Sequence, residues 1–245
     1  MKTITLPPRL AAAAALVPSG ARLADIGTDH GYLPVFLLQS GAVSSAYASD
    51  VRPEPLARAV RAAARAGVAE KIRFDLADGL SGLRPGEADC VVIAGMGGET
   101  IAKILAASAG AVAPETAVIL QPMSKPERLR ETLYQLDFAI RGERLALDGG
   151  VIYPILLCGL EPESAGPPPR GGCSRAELLT GRWELISAEP LFPAFLNGQI
   201  ERLQRALAGL RACAKPQDSA RLPGLLETLD GLLEMQRRLC HANSA

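Results

Sequence analysis

The 245-residue sequence has no excess of charge of either sign, with 26 Lys and Arg against 26 Asp and Glu. Net charge therefore names no partner, and a nucleic-acid surface would have to come from local clusters of Lys and Arg. Long apolar runs are also missing. The Ala-rich stretch from Ala11 to Val17 is too short to span a bilayer and follows Pro7, Pro8 and Arg9, so a short amphipathic helix is expected. No secretory leader and no membrane contact are expected. The five cysteines, Cys90, Cys158, Cys173, Cys213 and Cys240, form no Cys-x-x-Cys pair and are odd in number. This argues against a disulfide framework and against a zinc site, and fits a reduced, cytoplasmic setting. Cys90 and Cys158 lie in apolar strand-like runs and read as small core residues. Histidine is the scarcest titratable residue, with two copies.

What is present is an apolar fraction of 48%, enough for one sizeable α/β core and a smaller appendage. Short apolar runs alternate with helical patterns from Ala21 to about Cys158. Strands are expected at Arg22 to Asp25, Ala46 to Asp50, Lys71 to Leu76, Asp89 to Ala94 and Ala117 to Leu120. Helices are expected at Pro34 to Gln39, at Pro53 to Ala66 before Gly67, around Ile101 to Leu105, and at Lys125 to Leu136. Phe138 to Leu145 and Val151 to Cys158 read as a closing hairpin around Asp148-Gly149-Gly150. Repeated strand–helix units imply a parallel sheet covered on both faces. With the terminal hairpin this is an α/β, Rossmann-like sheet of the class I S-adenosylmethionine (SAM)-dependent methyltransferase type.

Residues 161 to 175 are rich in Pro and Gly and read as a linker between a domain at 1–160 and a helical domain at 176–245. In the latter, Leu196, Ile200, Leu203, Leu207 and Leu210 form a heptad seam. Lys215-Pro216 breaks it, and Leu222, Leu225, Leu229, Leu232, Gln236 and Leu239 resume it. An antiparallel, coiled-coil-like helical hairpin is the simplest solution. It either shields a core face, makes a dimer of an otherwise monomeric chain, or contacts RNA.

The densest motif is Leu23-Ala-Asp-Ile-Gly-Thr-Asp-His-Gly31. In open α/β sheets ligands bind beyond the carboxyl ends of the strands at the switch point, which is where Asp25-Ile26-Gly27 falls. Gly27 permits a tight turn and close approach of a ligand. The pattern is not Gly-x-Gly-x-x-Gly, because Asp29 replaces the middle glycine and would repel a pyrophosphate. SAM brings an ammonium and a sulfonium, which suit a carboxylate-rich loop. Asp25 is expected near the methionine amino group. Asp50, ending the second strand, can accept both ribose hydroxyls, and Asp78-Gly79 follows the third strand, where class I methyltransferases place an acid or amide against the adenine amino group.

The run Ala24-Asp-Ile-Gly-Thr-Asp-His-Gly-Tyr-Leu-Pro34, with Ile93-Ala-Gly-Met-Gly-Gly98, resembles the bacterial tRNA (adenine(22)-N1)-methyltransferase family, the TrmK-like proteins. Asp78-Gly-Leu80, Leu120-Gln-Pro122, Leu129-Arg130, Tyr153 and Glu189-Pro-Leu-Phe192 follow in the expected order. Gly31 in place of Ala and the Pro- and Gly-rich junction depart from the pattern. The resemblance implies methyl transfer from SAM to N1 of adenine 22 in tRNA, with a C-terminal helical hairpin that helps hold the RNA.

Adenine N1 carries a lone pair in its neutral form, so the attack on the methyl group needs no prior deprotonation. Positive charge then develops on the ring, and a nearby carboxylate would stabilise it. Asp29 is the candidate catalytic residue, with capping of the following helix as its alternative role. His30 could contact cofactor or base, or make a structural hydrogen bond. The fourth-strand loop offers Gly95 to the cofactor and Met96 and Gly97 to a flat base, and lacks the [Asp/Asn]-Pro-Pro-[Tyr/Phe] of exocyclic-amine enzymes. No cysteine is placed for C5-pyrimidine chemistry. Arg58, Arg61 and Arg65 share a helix face, and Lys125, Arg128 and Arg130 cluster after the fifth strand, so they could form an electrostatic track for tRNA. A SAM-dependent enzyme for a small molecule, or a non-catalytic SAM-binding module, are the competing readings.

Overall fold

The computed structural model describes residues 4–107, 110–160, 173–212 and 222–242. The chain divides into two compact units, Met1–Pro168 and Pro169–Ala245. The first contains a seven-stranded sheet formed by β1 (Ala21–Ile26), β2 (Val43–Asp50), β3 (Ile72–Leu76), β4 (Cys90–Gly97), β5 (Ala117–Ser124), β6 (Phe138–Asp148) and β7 (Val151–Leu160). The strand order is β3-β2-β1-β4-β5-β7-β6. Strands β1 to β5 pair in parallel, and β7 lies antiparallel to both β5 and β6. From β1 the chain moves first to β2 on one side and later to β4 on the other. The switch point therefore lies between β1 and β4, where such sheets bind ligands.

The central strands are apolar because helices cover both of their faces. Cys90, Val91, Val92 and Ile93 of β4 are fully buried. Helix α1 (Pro8–Ala14) packs on β6, followed in the chain by α2 (Tyr32–Gln39), α3 (Pro53–Ala66), α4 (Gly98–Ala106) and α5 (Pro126–Gln135). In α3, Ala59, Ala63 and Ala66 form the buried face, and Gly67 ends the helix with a φ of 72°. The arginines Arg58, Arg61 and Arg65 lie on the opposite, exposed face.

Several boundaries differ from the sequence expectation for physical reasons. Helix α2 begins at Tyr32, so Pro34 is its third residue, where no intrahelical N–H bond is lost. Strand β4 continues to Gly97 because Met96 pairs with Pro122 and Gly97 with Ser124, with register irregularities at each step. Thus Gly-Met-Gly is an irregular strand end rather than a loop.

The second unit contains α6 (Arg175–Thr180), α7 (Trp183–Ile186), α8 (Phe192–Ala212) and α9 (Leu222–Ala242). Helices α8 and α9 pack together, and Gln236 near the end of α9 donates to Asn197 near the start of α8 (2.8 Å), so they run antiparallel. Phe195, Leu196, Ile200, Leu203 and Leu207 are the buried stripe of α8. The expected break at Lys215-Pro216, Cys213 and most of the expected linker lie outside the described residues. Unexpected are α6, started by a Ser174–Glu177 capping box, and α7, whose Trp183 packs edge-on to Phe192. The described part of this unit carries as many acidic as basic side chains, so it is not a uniformly basic arm.

Candidate active site

Beyond the carboxyl ends of β1, β2 and β4 lies a cleft of about 1140 Å³. Asp25, Gly27, Asp29, His30, Asp50, Asp78, Gly79, Gly95 and Met96 all line it. Nine candidates far apart in the chain are thus brought together.

The loop after β1 is fixed by consecutive backbone bonds. The N–H groups of Gly27 and Thr28 both donate to Ser49 O at 2.8 Å, and the Asp29 N–H donates to Asp50 Oδ2 at 3.3 Å. Asp50 also accepts from the Arg52 N–H at 2.9 Å. Its buried carboxylate therefore ties the β1 loop to the start of α3 and keeps acceptor capacity beyond these two bonds. Gly27 has a φ of 75°, and a Cβ there would lie 2.0 Å from the Met96 terminal methyl. Met96 is therefore packed over the cofactor loop. Gly31 has a φ of 68°, and a Cβ there would come within 2.9 Å of Ala59 Cβ, so glycine lets α2 and α3 pack closely.

Asp25 is buried, and burial pushes its carboxyl from 3.8 up to about 6; the nearby Asp50 charge pushes the same way, and the Thr28 hydroxyl offsets part of the rise. No basic side chain pairs with Asp25 among the described residues. A buried carboxylate lacking a cation favours a cationic ligand. Asp78 is exposed at the cleft wall. The lining thus fits a cationic cofactor such as SAM: several carboxylates, and among the described residues no cation paired with Asp25.

Asp29 has a φ of 47°, a left-handed conformation that few non-glycine residues adopt. Its carboxylate is half-exposed, 3.4 Å from Arg58 Nη2 and 3.7 Å from His30 Nε2. The N-cap of α2 is Gly31 and no side chain caps it, so the capping alternative for Asp29 does not hold.

The remaining candidates lie elsewhere. Gly97 does not line the cleft and serves as the N-cap of α4. Arg58 reaches the site through Asp29, while Arg61 is exposed on the outer face of α3 and Arg128 is exposed and paired with Glu131 at 2.9 Å. Arg130 is a correction: it is fully buried and held by Glu143 of β6 at 2.5 Å, so it cannot belong to a surface track for RNA. It ties α5 to the closing hairpin.

Sequence reasoning assigned no role to Gln121. Its buried Oε1 accepts from the Gly95 N–H at 3.1 Å while its Nε2 donates to Pro122 O at 3.1 Å. It holds the end of β4 in place, and its setting in an apolar strand was the available signal. Lys103 and Thr100 of α4 also line the cleft. Among the described residues no cysteine does so, and burial pushes the Cys90 thiol up to about 12 and the Cys158 thiol up further. Among the described residues no cluster of His, Cys, Asp and Glu is placed to hold a metal ion, and no helix is long and apolar enough to cross a membrane.

Comparison with known proteins agrees with this geometry. The tRNA (adenine(22)-N(1))-methyltransferase of Bacillus subtilis is 36% identical over 157 residues, a stretch that spans 64% of this chain and 66% of that relative. The crystal structure of the B. subtilis M1A22 tRNA methyltransferase TrmK superposes with a TM-score of 0.83 at 29% identity, covering 95% of this chain and 99% of that one. Streptococcus pneumoniae Sp1610, a candidate tRNA (m1A22) methyltransferase solved in complex with S-adenosyl-L-methionine, gives a TM-score of 0.80 at 29% identity, covering 95% of this chain and 100% of that one. The family model of the methyltransferase domain matches residues 6–156, which include every strand end that frames the cleft, and the chain therefore belongs to the methyltransferase domain family.

Proposed function

We propose that this chain transfers a methyl group from SAM to N1 of adenine 22 in tRNA. The observation that carries the reading is the buried Asp25 carboxylate, unpaired with a basic side chain among the described residues, in a cleft that also gathers Asp50, Asp78 and Asp29. The similarity to proteins named for this activity supplies the RNA and the base.

Bound SAM supplies an electrophilic methyl group on a sulfonium. Asp25 neutralises the ammonium end of the cofactor, Asp50 holds the ribose, and Asp78 with Gly79 faces the adenine. Gln121 keeps the Gly95 amide turned inward and so fixes the wall opposite the β1 loop. The protein's main task in such a displacement is alignment and exclusion of water. Asp29 stands at the same loop, and its carboxylate offsets the positive charge that develops on the adenine ring as N1 attacks. It can also accept a proton from N6. Arg58 holds that carboxylate in position. Adenine 22 is extruded from its stack to reach the cleft.

Transfer of labelled methyl groups to a tRNA transcript tests the reading. Incorporation is expected with adenine at position 22 and not with guanine there. Equal labelling of both transcripts, or of neither, contradicts it. Asp29→Asn is the cleanest test of the carboxylate, because Asn tolerates the left-handed backbone as Asp does. SAM affinity is expected to stay within about threefold while kcat falls about a hundredfold, in line with loss of a charge-stabilising group.

A further inference from the structure

Two half-exposed rings stand in the cleft. His30 and Tyr32 are stacked, with centroids 5.1 Å apart and planes within 10° of parallel, and both line the site. Aromatics make up only 4% of the chain, and Tyr32, at 40% exposure, is the most exposed of them. Core packing does not account for this placement. The residues of α2 that face the core are Leu33, Pro34, Val35, Leu37 and Leu38, whereas Tyr32 begins the helix and turns away from them. The pair stands on a tight turn: Asp29 and Gly31 on either side of His30 are both left-handed, and the Gly31 N–H donates to Thr28 O at 2.8 Å.

Met96, the residue in the sequence that best suits a flat base, has its terminal methyl against Gly27. Met96 still lines the cleft, and the paired rings add a flat aromatic surface to it.

We propose that the outer face of the His30–Tyr32 stack is the platform on which the extruded target adenine lies. This rests on the tRNA reading above. A base stacked there has its flat face on the rings while its N1–N6 edge meets Asp29, three residues before Tyr32 in the same turn. Face and edge are then read by one short segment. As N1 is methylated the adenine becomes cationic, and a cation over an aromatic face is favoured. The contact therefore strengthens toward the transition state, so its loss lowers kcat as well as raising KM.

The test compares Tyr32→Ala and Tyr32→Phe by methyl transfer to a tRNA transcript, SAM binding by calorimetry, and fluorescence of 2-aminopurine placed at position 22. Tyr32→Ala is expected to lose about tenfold to a hundredfold in kcat/KM for RNA, the range for removing one base–aromatic stack. Tyr32→Phe keeps activity within twofold, and SAM affinity is unchanged in both. The wild-type chain quenches 2-aminopurine, and Tyr32→Ala leaves it bright. If Tyr32→Ala retains transfer within twofold, or loses SAM affinity in parallel with transfer, the platform is wrong while the tRNA reading stands. If the wild-type chain transfers no methyl group to tRNA, the reading itself fails and the platform with it.

Discussion

Replacing Asp25 by Asn separates stability from cofactor binding at one buried position. Burial raises the Asp25 carboxyl from 3.8 to about 6. Between those values the folded state holds a proton that the unfolded chain has released, so folding stability falls as pH rises through this window and is flat above it. The accumulated loss is about 3 kcal/mol at neutral pH. Asn has no charge to bury. The variant without cofactor is therefore expected to match the wild type near pH 4 and to exceed it by about 3 kcal/mol at pH 7.5, which in a unit of this size raises Tm by about 6–12 °C. Urea denaturation at the two pH values measures the difference. SAM should reverse the order: it stabilises the wild type by binding, whereas the variant lacks the carboxylate and binds about tenfold to a hundredfold more weakly. In the wild type, SAM affinity should also fall about tenfold per pH unit below pH 6, where Asp25 must lose its proton to receive the ammonium. A variant less stable than the wild type at pH 7.5, or undiminished SAM binding, would refute the argument.

Further substitutions probe the cleft wall and the buried pair behind the sheet's closing hairpin. Gly27→Ala should lose about 1–2 kcal/mol from the left-handed backbone alone and displace Met96, weakening SAM binding; adding Met96→Ala should recover only the steric part, measured as a double-mutant cycle. Glu143→Ala leaves the buried Arg130 without its carboxylate and should destabilise the chain by about 3–5 kcal/mol in urea titrations. Gln121→Leu frees the Gly95 amide and should lower kcat more than it changes Tm, read by paired kinetics and melting curves.

The acids at three strand ends were legible in the sequence because a parallel sheet puts every strand's carboxyl end on one edge. A one-dimensional reading of Asp25, Asp50 and Asp78 therefore lands in one cleft. The two long helices were legible through their heptad spacing, but α6 and α7 were not, because six and four residues are too few to show a period. Arg130 was misplaced for a different reason. It lies on the same helix face as Leu129 and Leu133, and its partner Glu143, on a strand distant in sequence, offsets the cost of burying its charge. Gln121 shows in sequence only as a polar residue in an apolar strand, and its role is visible once β4 and β5 are side by side. The β1 loop shows the same limit. Its glycines mark a tight turn, but not that the amides of Gly27, Thr28 and Asp29 are bound to β2, which leaves its carboxylates facing the cleft.

The most direct test of the central claim is mass spectrometry of nucleosides from a bacterial tRNA bearing adenine 22, after incubation with the chain and SAM. 1-Methyladenosine is expected at position 22 and is lost in Asp29→Asn. N6-methyladenosine, a methylated pyrimidine, or no methylated nucleoside would contradict the claim.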